Sequence, residues 1–423
     1  MDSHAFEALT VETLPVRLGG NAAIKRRIGD NSSLWSIKEV GDGNLNLVFI
    51  VTGETGSVIV KQALPYVRLV GESWPLPLKR SFFEYHALKR QAARDPGMVP
   101  EILFFDEAQA IIAMEFLTPH VILRRALIDG RELPRVGRDL GLFVARTLFR
   151  GSDLSMDTRA KKADVALFSD NVELCDITEN LVFSDPYFEA PLNRHTTPQL
   201  DPLVAELRAD RDLKVEAQRL KHLFSAKAET LCHGDLHTGS VMVTEAETRI
   251  IDPEFAFYGP ISFDIGMLAA NFWMSYFSQT GHEATPGARD SMRAYLLGTI
   301  DTLWETFRAE FAHLWRTERK GILYQASLFE SRSDPLAAEQ ALACVMNDIW
   351  HEMLGFAGIE IHRRIIGLAH NADFETITDP DSRARCESKA LKLGRHLAVN
   401  RQRIHSLRDI RETVERLEKE ILA

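Results

Sequence analysis

From Leu34 to about Ile112, short apolar runs rich in β-branched residues alternate with turn signals: SLWSIKEV, GDGN, LNLVFIVT, GETG and SVIVKQAL follow one another. This alternation predicts antiparallel strands joined by tight glycine turns. Next, PLKRSFFEYHALKRQAARD places apolar residues at helical spacing around Phe83, Ala87 and Leu88, and past Pro100 come two more strand-like runs, ILFFDEA and AIIAMEFL. Beyond Pro119 the period changes. RVGRDLGLFVARTLFRG, ALACVMNDIWHEMLGFAGIEIHRRIIGLAH and SKALKLGRHLAVNRQRIHSLRDIRETVERLEKEIL carry helical apolar stripes with few turn residues. One interruption, SVMVTEAETRIIDPEF, predicts an isolated hairpin. No internal repeat or low-complexity tract is visible. The expected fold class is α+β and bilobal: an N-terminal antiparallel sheet lobe with one main helix, residues 1–117, then a larger, mostly helical lobe, residues 118–423, with a cleft between them.

Composition narrows the class. The 423 residues are 45% hydrophobic and 26% charged, enough for one large or two moderate cores and too apolar for a disordered chain. No apolar run approaches the ~18 residues of a membrane span. The opening MDSHAFEALTVE lacks the cationic start and apolar core of a secretory signal, so a cytoplasmic protein without a membrane partner is expected. A formal charge of -10, with no Lys/Arg run interleaved with aromatics, argues against nucleic acid as a partner. Cys175, Cys232, Cys344 and Cys386 form no CxxC pair, so reduced and largely buried thiols are expected, with neither disulfides nor zinc.

The chemistry concentrates in LCHGDLHTGSVMV and, shortly after it, RIIDPEFAFYGPISFDIG. Asp235 follows His233-Gly234 at the end of an apolar approach, and Asp252 and Glu254 stand at the end of the hairpin. Read singly, Asp235 caps a turn and Asp252 opens an ordinary Asp-Pro turn. Read together, they supply what phosphoryl transfer needs: one carboxylate to orient a hydroxyl and accept its proton, and others to hold the magnesium that bridges the phosphates. His233 and His237 flank Asp235, but no third metal-ligand spacing lies nearby, and they read as loop-bracing histidines.

This arrangement resembles the protein-kinase-like superfamily, more closely its small-molecule branch of aminoglycoside, choline and homoserine kinases, and within that branch it is similar to the methylthioribose kinase family. HGDLHTGS stands at the branch's catalytic loop, HGDxHxxN, with Ser240 where a metal-binding Asn is usual. Asp252-Pro253-Glu254 stands where eukaryotic kinases have Asp-Phe-Gly, and Glu254 adds a second carboxylate that offsets Ser240. VGDGNLNLVFIV and VIVKQA extend the resemblance over most of the chain. It implies a bilobal kinase-like fold, a homodimer, and transfer of the γ-phosphate of ATP, with Mg2+, to the 1-hydroxyl of the sugar 5-methylthioribose in methionine salvage; the shared catalytic machinery leaves open a kinase of another small acceptor, such as 5-deoxyribose, a choline-like alcohol or an aminoglycoside, and the altered glycine loop and Ser240 leave open a nucleotide-binding regulator.

The resemblance also distributes roles. Asp235 is implied as the catalytic residue at the acceptor, and Asp252 and Glu254 as metal ligands that, with Pro253, border the nucleotide. Gly41, Gly43 and Asn44 lie in a turn whose backbone N–H groups would cover the ATP phosphates, although GDG is also an ordinary hairpin turn. Lys61, after Ser57-Val58-Ile59-Val60, falls where the kinase fold places its phosphate-contacting lysine, with Glu84 as its helix partner. The backbone of Glu115, Phe116 and Leu117 is offered to adenine, and Asp264 matches an aspartate that braces the catalytic loop. Arg363 and Arg364, in the apolar stretch IEIHRRIIGLAH, must reach something useful or be costly to bury; in the family such a pair reaches the sugar and the transferring phosphoryl group, and on a helix it also serves plain salt bridges. Trp74, on the loop GESWPLP, suits either a core or a lid, and Leu407, Ile410, Val414, Leu417 and Ile421 suit docking of the last helix onto the helical lobe or a dimer contact.

Overall fold

The alternation between Leu34 and Ile112 folds as one five-stranded antiparallel sheet in the order β1-β2-β3-β7-β6, where β1 is Ser36–Glu39, β2 Asn46–Thr52, β3 Ser57–Ala63, β6 Ile102–Asp106 and β7 Ile111–Glu115. The computed structural model describes residues 6–41, 45–67 and 71–420. Period-two alternation sorts β3 cleanly: Val58 and Val60 are fully buried on one face, and Lys61 belongs to the other. On the first face, Phe49, Val51, Val58, Val60, Ile111 and Ala113 pack with Leu14, Leu18, Ile24, Ile28 and Trp35 from the N-terminal segment. Each Val, Leu, Ile or Phe side chain so removed from water contributes roughly 1.5–3 kcal/mol. Two short helices, Leu14–Leu18 and Ala22–Ile28, form this cover, the second capped by Asn21 on the amides of Ala23 and Ile24; elements of this length hold too few turns for a period to show in the sequence.

The expected helix spans Arg80–Arg94 and buries Phe83, Glu84, Ala87, Leu88 and Gln91, a single i, i+3, i+4 face. Glu84 is therefore aimed inward with the apolar residues. Between sheet and helix lies a ribbon the sequence pattern did not reveal, β4 (Tyr66–Val67) paired with β5 (Gly71–Pro75), and Trp74 sits half-buried on β5.

After His120 the chain is mainly helical. Its longest elements are Arg211–Ala226, Ser262–His282, Asp290–Thr317, Pro335–Ile366 and Pro380–Asn400. The stripe expected in Pro335–Ile366 is a stripe only at its start: every residue from Ile349 to Ile366 is buried, because other helices surround that half. Gly358 and Gly394 permit a close crossing of this helix with Pro380–Asn400, since a Cβ on Gly358 would stand 2.4 Å from the Gly394 carbonyl oxygen. That crossing seats Arg363 and Arg364 a turn and a half farther along the same helix. The last helix, Leu407–Lys419, docks through Ile410, Val414 and Leu417, as its spacing suggested, while Ile421 lies outside the described residues.

The expected isolated hairpin is not isolated. Its first strand, β10 (Val241–Val243), pairs with β8 (Val121–Ile122); β11 is Thr248–Ile250, and β12 (Phe257–Gly259) pairs with β9 (Thr230–Cys232). The chain divides into two compact units. One takes the chain to His120 together with Asn171–Leu174 and Arg249–Ala256; the other holds Val121–Asp170, Cys175–Thr248 and everything from Phe257 onward. A single cut after Leu117 misses both inserted segments, and the second carries Asp252 and Glu254. Of the thiols, Cys232 and Cys386 are buried, Cys175 is intermediate and Cys344 exposed. No helix among the described residues is long and apolar enough to cross a membrane.

Candidate active site

In the first unit, Lys61 is the hub. Its ammonium lies 2.8 Å from Glu84 and pairs closely with Asp252. Glu84 and Glu254 are 2% and 5% exposed, whereas the Asp252 side chain is 45% exposed, so only Asp252 of the three opens widely to solvent. Burial alone would lower Lys61, but Asp252, Glu84 and Glu254 outweigh it and hold the ammonium above its ordinary pKa. Burial pushes the Glu84 and Glu254 carboxyls upward, against the pull of Lys61.

Three residues that sequence reasoning left without a role complete this cluster. The Asn46 amide donates to Glu254 Oε2 at 3.0 Å, and its oxygen accepts from Arg80 at 3.0 Å. Arg80, fully buried, also donates to the Leu64 and Leu45 carbonyls and sits 3.5 Å from Glu254. Asn171 donates to the carbonyls of Glu254 and Ala256, at 3.0 and 3.1 Å, which holds the Asp252–Glu254 turn in place. The available signal was a polar residue inside an apolar run, such as Asn46 opening LNLVFIV. Asp252 itself adopts φ 70°, a left-handed conformation that an L-residue keeps only when its surroundings enforce it.

Glu84, Asp252 and Glu254 bring carboxylate oxygens within 4.8 Å of one another. Lys61 and Arg80 border the same cluster. Its all-oxygen donors, with the solvent-open Asp252 among them, fit a hard divalent ion such as Mg2+.

In the second unit, Asp235 is the hub. Its loop is pinned by Asp264, whose carboxylate accepts the His233 N–H at 2.6 Å and the Gly234 N–H at 3.1 Å, a turn that requires φ 89° at Gly234. Arg364 donates to Asp235 Oδ1 at 2.9 Å, Arg363 stands 3.9 Å from the same oxygen, and His237 Nε2 lies 3.3 Å from Oδ2. Burial works to raise the Asp235 pKa, but His237, Arg364 and Arg363 hold it well below the usual carboxylate range. Ser240 donates its hydroxyl to the Asp235 carbonyl at 3.0 Å and so tightens the loop.

The paired arginines differ. Arg364 is fully engaged, with Glu360 at 2.6 Å, the Ala369 carbonyl at 3.3 Å and Asp235. Arg363 has Nε and Nη1 buried without a hydrogen-bond partner among the described residues, although Glu360 stands 3.7 Å away. Behind the loop, the half-buried Arg124 donates to Thr238 at 3.1 Å and to Asn271 at 2.9 Å, and pairs with Asp373 at 3.4 Å.

The remaining expected residues fall into two groups. Gly43 and Asn44 lie outside the described residues, and Gly41 is exposed in the turn after β1. Glu115 ends β7 with its amide bonded to the Glu101 carbonyl at 2.8 Å and its side chain near Arg27 and Arg249. Its N–H is therefore engaged, and the segment beyond it is half-buried Phe116 and buried Leu117.

Known proteins resemble this chain over most of its length. The phosphotransferase enzyme family matches residues 36–313. Methylthioribose kinase 1 of Oryza sativa subsp. japonica is 41% identical over 408 residues, covering 95% of this chain and 94% of the rice protein. Methylthioribose kinase of Escherichia coli is 42% identical over 405 residues, covering 95% of this chain and 96% of its own. That of Geobacillus kaustophilus is 43% identical over 376 residues, covering 88% and 89%. The chain belongs to the phosphotransferase enzyme family and, within it, to the methylthioribose kinases.

Proposed function

We propose that this protein transfers the γ-phosphate of ATP to the 1-hydroxyl of 5-methylthioribose, as a magnesium-dependent, cytoplasmic homodimer serving methionine salvage. The observation that carries the reading is the Asp235 carboxylate, held ionised by Arg364 and Arg363 in a chain that matches methylthioribose kinases along 95% of its length. An ionised carboxylate orients an acceptor hydroxyl and takes its proton as the phosphoryl group arrives; little negative charge need build on the acceptor oxygen earlier, because phosphoryl transfer proceeds through a loose transition state. Lys61, fixed by Glu84, contacts the nucleotide phosphates. The glycine turn at Gly41 covers the phosphates, and the Phe116–Leu117 backbone borders the base. Asp252 and Glu254 would hold magnesium, which when bound neutralises charge on the phosphate oxygens. Arg363, with its unpartnered donors, binds the sugar, while Arg364 aims Asp235.

Substitution separates the two arginines. Arg363→Gln should raise the KM for methylthioribose roughly tenfold or more with a smaller effect on kcat, the loss of a charged hydrogen-bond donor to the ligand. Arg364→Gln should lower kcat and also destabilise the fold by about 3 kcal/mol, because Glu360, 1% exposed, loses its closest cation. Steady-state kinetics and urea unfolding of both variants check this; a kcat loss confined to Arg363→Gln would reverse the assignment.

The function itself is tested by coupled ADP release with ATP and magnesium against 5-methylthioribose, 5-deoxyribose, ribose, choline, homoserine and kanamycin, with Asp235→Ala as the blank. Methylthioribose should be preferred strongly. Turnover of choline or kanamycin alone would overturn the sugar assignment, since the arginine pair at Asp235 disfavours a cationic acceptor.

A further inference from the structure

Among the described residues, His237 is the ionisable side chain that meets the Asp235 carboxylate yet has no part in the chemistry proposed for the pair of substrates; His233 meets only the Asp235 amide, at 3.4 Å. The ring caps the short turn Thr238–Ser240: its Nδ1 accepts the Gly239 N–H at 2.9 Å. The Ser240 hydroxyl also lies 3.4 Å from Nδ1, but it donates to the Asp235 carbonyl at 3.0 Å. An amide N–H can only donate, so Nδ1 carries no proton, and a neutral ring then carries its proton on Nε2. Nε2 is the atom 3.3 Å from Asp235 Oδ2.

Two further features keep the ring in that state. The side chain is 14% exposed, and burial, opposed by Asp235 and aided by Arg364 and Arg124, brings its pKa down to about 4. Its place is tight as well: a Cβ on Gly239 would stand 2.7 Å from His237 Cε1 and 3.1 Å from Arg124 Nη1. Only glycine at position 239 lets the amide approach the ring so closely without displacing it.

We propose that His237 is a positioning residue for phosphotransfer: a neutral imidazole, locked in one tautomer by the Gly239 amide, whose Nε2–H fixes one oxygen of Asp235 while Arg364 fixes the other. The inference rests on the kinase reading of Asp235. Its consequence is that the carboxylate plane is set from both sides, one oxygen by a cation and one by a neutral donor, so each keeps a lone pair for the acceptor hydroxyl. A second cation in place of the imidazole would weaken the carboxylate as a proton acceptor; a neutral donor orients it at less cost in basicity.

Two isosteric substitutions separate this from simple loop bracing. Asn in place of His237 keeps an acceptor near the Nδ1 position, for the Gly239 amide, and lacks the Nε2 donor. Gln keeps a donor near the Nε2 position and lacks the Nδ1 acceptor. Positioning predicts that His237→Asn retains the wild-type Tm and KM for ATP but loses about 10–100-fold in kcat, as outer supporting residues do elsewhere, and that His237→Gln recovers most of that kcat. A His237→Asn enzyme with wild-type kcat, or a His237→Gln enzyme no better than His237→Asn, would overturn the proposal.

If either variant fails to fold, 15N NMR of the wild-type histidine decides: a bare Nδ1 with a protonated Nε2 supports the proposal, and a proton on Nδ1 or on both nitrogens overturns it. That measurement also keeps the proposal distinct from the proposed activity. Wild-type protein that does not phosphorylate methylthioribose sinks the function, and the tautomer is still read directly.

Discussion

Asp235→Asn should lower kcat by roughly 10²–10⁴-fold, the range general-base groups supply, while the KM for ATP stays near its wild-type value. Asn preserves the shape of the carboxylate and its contact with Arg364, which donates at 2.9 Å, but it cannot accept the proton. The same change leaves a signature in stability. Asp235 is held well below the ordinary carboxylate pKa in the folded protein. On acidification the unfolded chain therefore takes up this proton first. The contribution is fully present above the unfolded pKa of about 4 and is lost as pH falls through the folded value. The difference in unfolding free energy between wild type and Asp235→Asn should be largest near neutrality and shrink below about pH 5. Urea titrations at several pH values read it; a difference that stays constant with pH would remove Asp235 from the arginine cluster's electrostatics.

The second large effect is at Asp252. Asp252→Asn should cost about 10²–10³-fold in kcat, comparable to removing one preorganised electrostatic group, and should raise the magnesium concentration needed for half-maximal rate. Its backbone makes a separate prediction. At φ 70° an L-residue is strained and glycine is not. Asp252→Ala and Asp252→Gly remove the same carboxylate, yet the Gly variant should be the more stable by about 1 kcal/mol, the αL strain relieved less the extra chain entropy of glycine. Both should be equally inactive. Thermal unfolding of the pair settles it: an Ala variant as stable as the Gly variant would mean that the turn relaxes when the side chain is lost, and that Lys61, Glu84 and Asn171 do not enforce it.

Much of the sheet unit was legible because its information is local. A period of two in Ser57–Lys61 separates Val58 and Val60 from Lys61, and a period of 3.6 in Arg80–Arg94 puts Glu84 on the buried face. The segments HGDLHTGS and DPE mark the candidate carboxylates by residue type and order. The features missed are of another kind. The β4–β5 ribbon and the helices Leu14–Leu18 and Ala22–Ile28 are shorter than a period can reveal. Asn46, Arg80 and Asn171 gave no signal of their own, because a polar residue in an apolar run is ambiguous until its partner is known.

The sequence by itself determined which faces are apolar, which residue types are available for phosphoryl transfer, and in what chain order they come, since these follow from side-chain chemistry at neighbouring positions. Only the tertiary structure decided how each charged group is compensated. Arg364 reaches Asp235 across 129 positions, and Asn46 reaches Glu254 across 208. Such pairings depend on the close crossing at Gly358 and Gly394 and on the return of Arg249–Ala256 to the sheet unit. They set which arginine is engaged, which carboxylate is ionised and which nitrogen of His237 holds the proton, because a buried charge is governed by what packs within a few ångströms of it, and chain order does not record that.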